Sequence, residues 1–77
     1  MTHTTFRPFQ LFDTHGIPLE MILKHAVAAG LPLDWVVLLF VSDALRAGWK
    51  KTKIQSELRE LRLFGFAIAE EWFNTLP

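Results

Sequence analysis

A chain of 77 residues is about half the length of an ordinary domain, roughly 150 residues, so it holds one small domain and excludes a second. Eight Lys and Arg balance eight Asp and Glu, which excludes a uniformly basic nucleic-acid binder or an acidic tail and leaves any electrostatic function local. Half of the residues are apolar, including seven Phe and three Trp, a composition opposite to that of a disordered chain. The absence of cysteine removes disulfides, thiol chemistry and cysteine-based zinc sites, and fits a reducing, cytoplasmic setting in which packing alone must hold the fold.

Residues 1–8 hold three Thr, a His and an Arg with little apolar periodicity and read as a flexible N-terminal arm. Residues 9–74 form the single helical domain, and 75–77 a tail. The glycines at 16, 30, 48 and 65 each fall where a helical pattern begins or has just ended, the place for a left-handed turn residue. After Gly16, Pro18 occupies a first-turn position with Glu20 behind it, and Met21, Ile22, Leu23, Ala26, Val27 and Ala29 carry the first predicted helix to Gly30.

Leu31-Pro32-Leu33 is an extended connector, and Asp34 is placed to cap a second helix that runs to Ala47. Its first half, Trp35 to Val41, is apolar without a break, and its three valines also suit a buried strand. The cap, the continuation through Ser42-Asp43-Ala44-Leu45-Arg46 and the stop at Gly48 favour helix. At seven residues the run falls short of the roughly 20 that cross a bilayer, and the N-terminus has no apolar signal segment, so neither a membrane span nor secretion is expected.

Thr52 and Gln55 have capping-box spacing and open a third helix, with Ile54, Leu58 and Leu61 as its apolar stripe. Beyond Gly65, Phe66, Ala69 and Phe73 predict a short fourth helix that leaves Glu70 and Glu71 on a solvated side. The fold class is therefore all-α: a small single domain of three to four short helices around Trp35, Leu38, Leu39, Leu45, Ile54, Leu58 and Leu61. Because Trp35–Val41 is apolar all round, three short neighbours leave part of it wet, and self-association or a protein partner is expected there. Trp35, Phe40, Phe64 and Trp72 are the candidate interface.

Catalytic patterns are lacking. His3, His15 and His25 have no second ligand at helical metal-site spacing, and Asp13 and His15 sit two apart in a turn. Glu70 and Glu71 are adjacent and splay apart on a helix, and the glycines are too scattered for a phosphate loop. No catalytic residue, metal or cofactor is assigned. Charge carries more information: residues 46–62 hold Arg46, Lys50, Lys51, Lys53, Arg59 and Arg62 against Glu57 and Glu60, a local excess of four, while the remainder holds two bases and six acids. A phosphate backbone would be drawn to one face alone; the same residues also serve as an ordinary solubilising surface.

The segment Phe9 to Met21, FQLFDTHGIPLEM, resembles the stretch of alanyl-tRNA synthetase that leaves the catalytic domain and enters the helical tRNA-recognition part, where the family carries DTYGFP followed by Leu and an acid. Leu11, Asp13, Thr14, Gly16, Pro18 and Leu19 match, Glu20 keeps the acid, and His15 and Ile17 replace Tyr and Phe. The likeness covers thirteen residues and leaves out the portion that binds ATP and alanine. It implies a non-catalytic module related to an RNA-recognising part, meeting structured RNA or a protein partner. Read from the residues alone, Asp13, Thr14, Gly16 and Pro18 are a turn motif: the first two can bond turn N–H groups, Gly16 permits an unusual φ and Pro18 starts a helix.

Ala44, the turn Ala47-Gly48-Trp49 and Ile54 are also similar to the helix-turn-helix of DNA-binding regulators. That resemblance places Lys50, Lys51, Lys53 and Arg59 on phosphates and Gln55 and Ser56 near base edges. Glu57 stands where that family buries an apolar residue, and DNA is the weaker candidate beside RNA, a protein or a second copy of the chain.

Overall fold

The computed structural model describes residues 6–75, and every structural statement below concerns those residues. Five α-helices follow one another: α1 (Pro8–Asp13), α2 (Leu19–Ala28), α3 (Leu33–Arg46), α4 (Lys51–Glu60) and, after a 3-10 turn at Leu61–Phe64, α5 (Ala67–Thr75). The all-α class holds, with no strand among the described residues and the Trp35–Val41 run inside α3. The count of three to four is low by the short first helix. Part of the expected arm is structured too: Pro8 is the first residue of α1 and is buried, and Phe6 packs against the core. Residues 1–5 and 76–77 lie outside the described part, while Thr75 ends α5 with its hydroxyl donating to the Trp72 carbonyl at 2.8 Å.

One backbone device ends α2, α3 and the 3-10 turn. At the end of α3 the Trp49 N–H donates to the Ala44 carbonyl (3.0 Å) and the Gly48 N–H to the Leu45 carbonyl (3.1 Å), the paired bonds of a Schellman motif. Gly48 makes this possible with φ of 94°, a left-handed value that a side chain resists. The same pairs recur at Leu31 to Ala26 with Gly30 to Val27, and at Phe66 to Leu61 with Gly65 to Arg62. In each case the residue after the glycine is apolar and is pulled back onto the core, so stopping the helix and anchoring the connector are one event.

Helix starts differ from the expected caps. The chain enters α3 from Pro32, and Asp34 lies inside the first turn, its carboxylate accepting the Trp35 N–H at 2.8 Å. α4 starts from Lys50, so Thr52 is already helical and the Thr52–Gln55 capping box does not form; the Gln55 amide instead reaches Asn74 of α5 at 3.3 Å. The Asp13 and Thr14 side chains make no turn hydrogen bond among the described residues. That turn is held by backbone, Thr14 N–H to Gln10 and Ile17 N–H to Leu11. Gly16 has positive φ (69°), and Pro18 is the residue from which α2 departs.

α3 lies at the centre and packs against α1, α2, α4 and α5. Its inward face is Val36, Val37, Phe40, Val41 and Ala44, all buried. Phe40 stands edge-on to Phe9 (5.6 Å between ring centres), Phe12 (5.7 Å) and Trp49 (6.2 Å), a geometry that matches the positive ring edge to a neighbouring negative face. Ile54, Leu58 and Leu61 are buried as expected. Trp35, Leu38 and Leu45 are not core: they remain 36%, 47% and 43% exposed on the opposite side of α3, with Leu39 half-buried between.

Candidate functional site

The exposed side of α3 carries Trp35, Leu38, Ser42 and Leu45 at spacings of three, four and three residues, which on a helix aligns them in one stripe. Shallow clefts flank it on both sides. Between α3 and α5, a cleft of about 310 Å³ at the N-terminal end is lined by Asp34, Trp35, Val37, Leu38, Trp72 and Thr75. Further along that same edge, Val41, Ser42, Leu45, Lys51, Phe73 and Asn74 enclose another with Leu38. On the α1 side, Phe6 and Arg7 close a third against Trp35, Leu39, Ser42 and Arg46. Leu38 borders all three and is the crest between them.

Full burial of a large apolar side chain contributes about 1.5–3 kcal/mol, so Trp35, Leu38 and Leu45, each some two-fifths uncovered, forgo on the order of 2–4 kcal/mol together. That is a large share for a domain this small. Of the four residues expected at an interface, Trp35 and Trp72 share one cleft. Phe40 does not belong: it is 1% exposed and completes the aromatic core. Phe64 is 43% exposed in the 3-10 turn, where the Lys24 ammonium sits 5.7 Å from its ring centre, and it lines none of the α3 clefts. Leu38 and Leu45, expected in the core, lie on this exposed face instead, and Ser42, to which the sequence reading gave no part in a site, stands between them.

The basic segment is partly neutralised. Glu70, expected to be solvated, is 5% exposed, with Arg62 Nη2 at 2.7 Å and Arg59 Nε at 3.0 Å from its two carboxylate oxygens. Those two hydrogen bonds, Arg62 first, hold the Glu70 carboxyl below its ordinary value. Only Glu71 of the pair is exposed. Arg46 faces Asp43 at 3.7 Å, and the Lys53 ammonium lies 4.0 Å from the Trp49 ring centre, a cation–π contact. Lys50 and Lys51 are exposed at the start of α4. In α4, burial pushes the Glu57 carboxyl up, Glu60 adds to the rise and Lys53 opposes it. Of the residues placed on DNA by the helix-turn-helix likeness, Arg59 and Gln55 are thus turned toward α5, while Ser56 is exposed.

Among the described residues no helix is long and apolar enough to cross a membrane. Comparison with protein-family models, with curated proteins and with solved structures gives no significant match for this chain.

Proposed function

We propose that this chain is a small, non-catalytic helical interaction module whose partner is a protein and whose contact surface is the exposed face of α3. One observation carries the reading: Leu38 is 47% exposed on a crest bordered by three clefts, with Trp35 and Leu45 beside it in line. Contiguous apolar surface rimmed by polar groups is the form of a protein-contact site. Here the rim is Asp34, Arg46, Lys51 and Asn74.

The competing partner is structured RNA, held by Arg46, Lys50, Lys51, Lys53, Arg59 and Arg62, in keeping with the synthetase-like segment Phe9–Met21. Glu70 draws two of these six charges into a structural ion pair, and Asp43 faces a third, which favours the protein. Co-purification from cells with tagged protein decides between them. Leu38→Glu is expected to lose the bound protein, and Lys50→Glu/Lys53→Glu to retain it. Loss only in the lysine variant, with saturable tRNA binding whose salt dependence corresponds to about two to four phosphate contacts, assigns the chain to RNA instead.

A further inference from the structure

We infer that the partner of the α3 face is a second copy of this chain, docked antiparallel about a two-fold axis. The inference rests on the reading of that face as a protein-contact surface. An isologous dimer requires one patch to be complementary to itself, and this patch is so in both shape and charge.

The shape argument starts from the 3-4-3 spacing of Trp35, Leu38, Ser42 and Leu45. In an antiparallel helix pair the two residue types of such a seam face each other, so Leu38 of one copy lies over Ser42 of the other, and Trp35 over Leu45, each pairing occurring twice. Ser42 is the one small residue in the stripe, and it borders clefts on both sides that Leu38 also borders. The crest of each copy therefore meets the dip of its partner. A branched apolar side chain at 42 would instead produce two opposing crests.

The charge argument is independent. Asp34 and Lys51 both lie on the α5 side of the stripe, Asp34 at the N-terminal end of α3 and Lys51 beside Leu45 at its C-terminal end. A two-fold axis perpendicular to both helices keeps the α5 side facing the α5 side and exchanges the ends. Asp34 of each copy then comes opposite Lys51 of the other, giving two rim ion pairs. Neither residue has an ion-pair partner of its own among the described residues. Such pairs set orientation and register more than strength.

Sedimentation equilibrium from low micromolar to millimolar concentration tests this, with far-UV circular dichroism to verify that each variant is folded. The wild-type chain is expected to move from 8.9 kDa toward twice that mass. Leu38→Glu is expected to remain monomeric. Asp34→Lys and Lys51→Glu are each expected to weaken the dimer about tenfold, and Asp34→Lys/Lys51→Glu to recover most of that loss. A wild-type monomer throughout overturns self-pairing and leaves the protein-contact reading to the co-purification test. A dimer indifferent to Leu38→Glu overturns both. Single substitutions that weaken pairing without rescue in the double overturn the antiparallel arrangement.

Discussion

The Arg62 guanidinium reaches the Glu70 carboxylate at 2.7 Å across the turn that joins α4 to α5, and Arg59 holds the other oxygen at 3.0 Å. This clamp closes the second half of the molecule and makes its stability sensitive to acid. The folded value of Glu70 lies below the ordinary 4.5, so its stabilisation is fully present above about pH 4.5 and is lost as the pH falls through the depressed value. Glu57 acts in the opposite sense: its raised carboxyl contributes stability below about pH 4.5 that is lost as pH rises through the raised value. Melting curves against pH are expected to show a loss of Tm in acid that Glu70→Gln flattens and Glu57→Gln steepens. An unchanged acid limb in Glu70→Gln would remove the clamp from the account.

Phe40→Ala removes the ring shared by α1, α3 and the α3–α4 connector. Aromatic truncations in a core cost about 3–5 kcal/mol, against a total of about 4–12 kcal/mol for a chain this size. Urea titration is expected to find the variant partly unfolded in buffer. Leu63→Ala, at a side chain 83% exposed, is expected to change stability by no more than about 0.5 kcal/mol.

Gly48→Ala tests the turn between α3 and α4. Beyond the adjoining residues no atom lies within 4 Å of an added Cβ, so the penalty comes from φ and is about 1–2 kcal/mol. Gly48→Asn is expected to cost less, and D-alanine introduced by synthesis to raise Tm, because its preferred φ is the one the turn uses. A penalty common to L- and D-alanine would point to crowding instead.

Lys53→Ala removes the ammonium over Trp49 and is expected to lower stability by about 0.5–1 kcal/mol. Trp49 emission should shift with it, since the ring loses its covering charge. Lys50→Ala, exposed one residue before α4, serves as the comparison and is expected to leave both signals in place.

Helix positions were largely legible because Gly30, Gly48 and Gly65 end their segments through local backbone bonds, and local bonds leave a local trace in sequence. The side of α3 that turns inward was not. Trp35–Val41 offers apolar side chains in every direction, and the choice falls to Phe9, Phe12 and Trp49, which gather around Phe40 from other parts of the chain. Glu70 was unreadable for a related reason: Arg59 and Arg62 lie eleven and eight residues away, joined to it by a change of direction rather than by helical spacing. α1 was hidden by its six residues, too few to display a period.

That brevity governs how the molecule opens. A six-residue helix has almost no stability of its own, so α1 exists only while Phe9 and Phe12 rest against Phe40 and Trp49. It is expected to be the first segment to leave on a rising denaturant ramp, uncovering Phe40 and Trp49 before α3, α4 and α5 separate. Amide exchange at Leu11 and Phe12 should therefore run ahead of exchange at Ala44 and Leu58, and a protease cutting between α1 and α2 would meet this partly opened form before the unfolded chain.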